Sequence, residues 1–163
     1  YQLWSDNHKI NNKEYTLKSL REDFKQDGRY TKVRYVKSIN KDSLRRDFTF
    51  NALYMDTNQK VTDFHNGLKH LENSKVIFID DFKKKCLEDN LRIIRFIRFN
   101  SLFKFPVYPK EYISFFLLNK KLIFSLKQKK IYNEIEKALS YRYKANTISL
   151  LKKLKIESIL SLK

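Results

Sequence analysis

The chain has 163 residues, 42% of them hydrophobic and 15% aromatic, which is enough apolar material for one ordinary domain or two small ones. No run approaches the roughly 20 consecutive apolar residues of a membrane-spanning helix, and the single Cys86 excludes an internal disulfide, so a soluble protein of a reducing cytoplasm is expected. A formal charge of +17, from 35 Lys and Arg against 18 Asp and Glu, favours a polyanion such as RNA as partner, although the scarcity of Gly and Pro beside abundant Lys, Asn, Ile, Phe and Tyr is also the mark of an AT-rich genome.

In chain order, residues 14–20 and 32–39 are rich in β-branched and aromatic side chains and read as two strands. Gln26-Asp27-Gly28-Arg29 between them has turn chemistry. Asp42-Ser43 is placed to cap a helix through Arg45, Arg46 and Phe48, and residues 53–55 and 61–63 form a hairpin over the polar turn 56–59. A short helix over 67–72, a short strand over 76–79 and a helix start at Asp80-Asp81 follow. From Asp81 the period is helical, with Leu87, Leu91, Ile94 and Leu102 on one side and Ile93, Phe96, Ile97 and Phe99 over much of the rest. Pro106 and Pro109 end that segment, and helices around 111–118, 127–139 and 145–162 complete the chain. The expected fold class is α+β followed by all-α, divided as 1–80 and 81–163, with a further break near 103–109. Residues 103–163 hold 14 Lys and Arg against 4 Glu, and the last aspartate is Asp89. This basic half reads as a binding surface.

The densest chemical signal is Arg45-Arg46-Asp47-Phe48-Thr49-Phe50-Asn51-Ala52-Leu53-Tyr54. Two guanidiniums suit triphosphate oxygens and Asp47 can accept from a ribose hydroxyl, while the bland alternative is a solvated helix face with local ion pairs. A second signal is Glu88-Asp89-Asn90-Leu91-Arg92-Ile93-Ile94-Arg95. Asp89 and Arg92, three apart on one helix, can offer an acceptor beside a donor, which complements the Watson–Crick edge of cytosine or adenine, or they can form an ordinary ion pair. Between the two lies Asp63-Phe64-His65-Asn66-Gly67, where the glycine either gives a hinge its φ freedom or ends a turn. His8, His65 and His70 lack zinc-like spacing, and Cys86 sits at a buried helical position.

These blocks together resemble the bacterial tRNA nucleotidyltransferase (CCA-adding enzyme) and poly(A) polymerase family. Leu20-Arg21-Glu22-Asp23 with Asp27-Gly28-Arg29 is similar to its LRxD and DGR segments, RRDFT with NALY to its ribose-recognition motif, 61–68 to its DxxxG element and 88–99 to its EDxLRxLRxxRF block. Residues 125–135 are similar to a helix of the RNA-binding neck, with Lys129 and Lys130 standing where Glu and Arg are usual. The resemblance implies an incomplete palm sheet and a helical neck. It implies nucleotide binding by Arg45, Arg46, Asp47, Asn51, Glu88, Asp89, Arg92 and Arg95, hinge residues Asp63 and Gly67, and RNA contacts from Lys127, Lys129 and Lys130. ATP and CTP are the implied substrates, and tRNA or another RNA the partner.

The family's chemistry uses magnesium held by a DxD carboxylate pair after a glycine-rich GGxxRD turn. Neither stands in this sequence, and the only carboxylates two apart are Glu134 and Glu136 in a helical stretch, so no catalytic or metal residue is assigned. With Tyr1 rather than Met at its head, the chain is expected to be truncated before that segment. Three readings stand open: an enzyme half completed by a companion chain, an inactive RNA-binding fragment, and a gene relic. Poly(A) addition is an alternative to CCA addition.

Overall fold

The computed structural model describes residues 6–10, 13–27 and 30–161, so the Gly28-Arg29 turn lies outside the described residues. The chain divides into two compact units, Tyr1–Arg46 and Asp47–Lys163. The fold is α+β followed by all-α, as expected. In packing, however, residues 47–80 belong with the helices that follow them.

The first unit holds two antiparallel hairpins. Strand β1 (Asp6–Ile10) pairs with β2 (Lys13–Leu17), and β3 (Arg21–Asp27) pairs with β4 (Tyr30–Tyr35), with a register shift between Asp23 and Lys25. Gln26 and Asp27 thus lie in a strand where a turn was expected, and the strand expected over 14–20 stops at Leu17. Helix α1 (Ile39–Leu44) begins at Ser38, whose hydroxyl accepts from the Lys41 amide, and ends at Arg45. This corrects the expected cap at Asp42-Ser43. Ser38 has the extended backbone that a cap requires, whereas Asp42 is fully buried inside the helix. The Arg-Arg pair therefore follows a helix end and gains nothing from a helix N-terminus.

The second unit opens with Asp47 and Phe48 running antiparallel to Phe78. The Ile79 amide donates to the Asp47 carbonyl and the Thr49 amide to the Ile77 carbonyl, each at 3.1 Å. The strand expected over 76–79 is reduced to this bridge, because the chain turns at once into a 3-10 helix, Thr49–Ala52. Strands β5 (Leu53–Met55) and β6 (Val61–Asp63) form the expected hairpin, and α2 (Gly67–Glu72) matches its expected span.

Helix α3 (Phe82–Glu88) is capped by Asp81, which accepts from the amides of Lys83 and Lys84. Helix α4 (Leu91–Asn100) is the central element: Ile93, Ile94, Phe96 and Ile97 are fully buried against α5 (Lys110–Leu118), α6 (Lys121–Phe124), α7 (Gln128–Ser140) and α8 (Ala145–Lys153) in one core. The chain breaks between α3 and α4 at Asp89-Asn90, so Leu87 and Leu102 are exposed instead of sharing one buried stripe. The last expected helix is also interrupted. Lys155 takes φ 53° and a 3-10 turn, Glu157–Ser161, follows. Among the described residues no helix is long and apolar enough to cross a membrane.

Candidate nucleotide site

Of the sequence-predicted residues, Arg45 and Arg46 lie in the first unit and the others in the second. In the first unit the buried carboxylate of Asp42 holds both arginines. Arg45 donates from Nε and Nη2 to Oδ1 at 2.9 and 2.7 Å, and Arg46 from Nε and Nη2 to Oδ2 at 3.2 and 2.8 Å. The Arg21 amide adds a third donor to Oδ1 at 3.1 Å. A buried carboxylate with this many donors is a fixed point, and it orients the two forks that the sequence assigned to phosphate. From sequence Asp42 has only a capping role, although its i,i+3 and i,i+4 spacing to Arg45 and Arg46 is a signal for this pairing. Nearby, hydrogen bonding to Arg34 holds the Glu22 carboxyl below its usual value.

In the second unit Asp47 bridges two arginines of α4. Oδ1 accepts from Arg92 Nε at 2.7 Å and Oδ2 from Arg95 Nη1 at 2.6 Å. Arg92 also donates from Nη1 to the Lys85 carbonyl at 2.8 Å and to Glu88 Oε2 at 3.1 Å. The Arg92 side chain is 8% exposed and that of Asp47 13%, so these bonds form with little water to weaken them. For Arg95, burial works against the charge, but the carboxylates of Asp47, Asp89 and Glu134 together outweigh it and raise the pKa. Burial and the neighbouring Arg92 lower that of Lys85.

Asp89 and Arg92 do not lie on one helix face. Asp89 ends α3 with an extended backbone, and its Oδ1 accepts from the Leu91 amide at 3.0 Å, where it starts α4. Arg92 takes its ion pairs from Asp47 and Glu88. The bland i,i+3 ion pair is therefore not what these two residues form. They flank one helix junction, joined by the Arg92 amide to the Asp89 carbonyl at 3.0 Å. Asn51 lies exposed in the 3-10 helix and donates its amide to the Phe48 carbonyl.

The Asp63 carboxylate closes the loop before α2. It accepts from the amides of His65, Gly67 and Leu68 at 3.1, 2.9 and 3.0 Å. Burial pushes its pKa up, but the three donors outweigh burial and hold it below the usual value. Gly67 is explained by contact rather than by φ freedom, since the positive φ of 56° belongs to Asn66. A Cβ at Gly67 would stand 2.4 Å from the Thr49 carbonyl oxygen. His70 Nδ1 lies 2.9 Å from Thr49 Oγ1 and ties the same two elements again.

Lys127, Lys129 and Lys130 stand exposed at the start of α7, whose Ile131, Glu134, Ile135 and Ala138 face the core. Glu134 is buried and pairs with Arg98 at 3.0 Å and Lys137 at 3.8 Å, so it is committed away from Glu136 and the two do not make a metal site. Among the described residues no group of three His, Cys, Asp or Glu side chains gathers to hold a cation. The buried Cys86 thiol is pushed up to about 12, chiefly by burial.

Residues 5–77 match the family described as the poly A polymerase head domain. The mitochondrial CCA tRNA nucleotidyltransferase 1 of Homo sapiens is 34% identical over 91 residues, 56% of this chain and 21% of the relative. The CCA-adding enzyme of Streptococcus sanguinis is 40% identical over 99 residues, 60% of this chain and 25% of the relative. Among solved structures, the Bacillus stearothermophilus CCA-adding enzyme in complex with CTP is similar with a TM-score of 0.80 at 25% identity, over 94% of this chain and 37% of that one. This chain thus spans no more than 25% of the length of either of these two curated relatives.

Proposed function

Since this chain belongs to the family of CCA-adding enzymes and poly(A) polymerases, we propose that it carries nucleotide selection and RNA binding for the addition of CMP and AMP to the 3′ end of tRNA. The observation that carries this reading is Arg92, a buried guanidinium held by Asp47, Glu88 and the Lys85 carbonyl beside Asp89 at the head of α4. A guanidinium fixed in this way presents its Nη2 amino group in one direction, and Asp89 supplies the acceptor. Cytosine and adenine carry the matching amino donor beside a ring-nitrogen acceptor, whereas uracil and guanine do not. Arg45 and Arg46, set by Asp42, are assigned to the triphosphate, and Asp63 and Gly67 to the hinge. Lys127, Lys129 and Lys130 are assigned to the phosphates of the RNA.

Magnesium would hold the triphosphate and activate the attacking hydroxyl, but among the described residues no group of three His, Cys, Asp or Glu side chains gathers to hold it. Asp42 and Asp47 are each paired with two arginines, Asp63 accepts from three amides and Glu134 lies 3.0 Å from Arg98. Metal-held steps would fall to carboxylates outside these 163 residues, as in an enzyme half completed by a companion chain. The test is incorporation of labelled nucleotides into tRNA lacking its 3′ end. The chain with magnesium should add nothing, and a supplied polypeptide bearing GGxxRD and DxD should restore addition of C and A. Addition by the chain alone, or restored addition of all four nucleotides alike, would overturn the proposal. Binding of tRNA with no restored addition would favour the RNA-binding fragment, and extended A tails would favour poly(A) addition.

A further inference from the structure

We infer that the loop between α4 and α5, together with the side of α8 that packs on it, binds unpaired RNA, with Phe105 as the ring on which a base stacks; only the choice of RNA as the polyanion rests on the function proposed above. Residues 101–110 and 141–156 hold seven Lys and Arg and no Asp or Glu. The buried acid of neighbouring α7 is engaged elsewhere, since Glu134 takes Arg98 and Lys137. Three of the seven cations stand beside aromatic rings. Lys104 Nζ lies 5.2 Å from the ring centre of Phe105, Arg142 Cζ 5.5 Å from that of Tyr143 and Lys153 Nζ 5.9 Å from that of Tyr108. Cations for phosphates interleaved with a ring for bases suit a single strand, whose unstacked bases each offer a π-face. A duplex keeps its bases stacked and offers chiefly its phosphates and sugar hydroxyls.

The loop is pinned at both ends, so Phe105 is presented in place. At its start Asn146 Nδ2 donates to the carbonyls of Phe103 at 2.7 Å and Lys104 at 3.3 Å, and the Tyr143 amide donates to that of Ser101 at 3.3 Å. At its end the Val107 amide donates to the Ser74 carbonyl at 2.8 Å, and the Val107 carbonyl accepts from the Val76 amide at 2.9 Å. Between these anchors Phe105 is 73% exposed, whereas Phe103, two residues earlier, packs against the core. A ring held in water on an ordered backbone binds a flat partner with little further loss of entropy. Helix α8 runs alongside, with Asn146 at the start of the loop and Lys153 at Tyr108, so its helical rise carries the cations about 10 Å along the loop. Lys127, Lys129 and Lys130 lie at the opposite end of α7 from Arg142, roughly 18 Å of helix away, which makes this a second surface.

The test measures fluorescence anisotropy of a labelled oligouridylate of about 12 nucleotides, inside the ~4–16 nucleotide range of single-strand sites, and of an RNA duplex of the same length. The proteins are the full chain, Phe105→Ala and Phe105→Trp, with thermal unfolding as control. The expected result is that the chain binds the single strand about tenfold more tightly than the duplex, and that Phe105→Ala lowers single-strand affinity about tenfold and duplex affinity by less than about twofold. Phe105→Trp should restore the affinity. The slope of log affinity against log salt should stay unchanged in Phe105→Ala, where no phosphate contact is lost, and fall by about 1–2 when Lys104 and Lys153 are both replaced by alanine. Undiminished single-strand binding by Phe105→Ala, or equal losses for strand and duplex, would overturn the inference and leave the proposed function standing. A chain that binds neither RNA would remove this surface and the RNA contacts proposed for α7 together. Loss of a dimer of the chain in Phe105→Ala, with RNA affinity unchanged, would assign the ring to self-association and overturn the inference too. Should Phe105→Ala not fold, the unmodified chain decides: a preference for the single strand supports the surface, and equal affinity for the duplex contradicts it.

Discussion

A Cβ on Gly67 would meet a main-chain oxygen, Thr49 O, which cannot swing aside as a flexible side chain does. Gly67→Ala is therefore expected to destabilise the protein by about 1–3 kcal/mol, the range for overpacking, as read from denaturant unfolding. Asp63 lies four residues before it and carries a pH signature. Its folded carboxyl lies below the unfolded value of about 3.9, so its stabilisation is full above that pH and is lost as the pH falls through the folded value. Asp63→Ala should cost about 1 kcal/mol at pH 7, the typical worth of a cap, and progressively less on acidification below about pH 4. Thermal melts of both proteins across pH 3–7, a window placed around that carboxyl value of about 3.9, would check it. An equal cost at both ends would remove the charged carboxylate as its cause. The residue types at these positions were legible in the sequence, but their reason was not. Nothing local to Gly67 announces a carbonyl contributed from 18 positions earlier in the chain.

Among the elements, α4 and α7 are joined by Arg98 and Glu134, whose side chains are 14% and 9% exposed. Removing one partner of a buried pair leaves an uncompensated charge, so Glu134→Ala should cost about 3–5 kcal/mol and weaken the packing of α7 on α4. Denaturant unfolding measures the cost, and a change within about 0.5 kcal/mol would show the pair to behave as a surface bridge. The same scale shows what a sequence can and cannot reveal. The hairpin over 53–63, the span of α2 and the Asp81 cap were readable because each is built from neighbours, a polar turn or an acid before an apolar period. The end of α1 was misread because Asp42-Ser43 has cap chemistry, and only tertiary burial turns Asp42 inward to Arg45 and Arg46. The break between α3 and α4 was hidden by an apolar period that continues across it, although Asp89 and Asn90 are residues that favour helix ends. The Asp47 bridge to Arg92 and Arg95, 45 and 48 residues away, was beyond any local pattern. The candidate site was thus legible as a set of residues and not as a wiring of them.

For the whole molecule, the net charge of +17 and the exposed Lys127, Lys129 and Lys130 predict tRNA binding that weakens steeply with salt and has little sequence preference. Replacing those three lysines by alanine should lower the slope of log affinity against log salt by about 2–3, close to one for each phosphate that is no longer neutralised. Filter binding over a salt series measures this, and an unchanged slope would move the RNA surface elsewhere. The central claim is that base choice resides in this chain, in the Arg92 and Asp89 junction. It is tested most directly by equilibrium competition of the four ribonucleoside triphosphates for the full chain and for Arg92→Ala. The account predicts that CTP and ATP outcompete UTP and GTP by about tenfold or more, and that Arg92→Ala brings the four together. Four equal affinities in the unmodified chain, or an undiminished preference in Arg92→Ala, would contradict it.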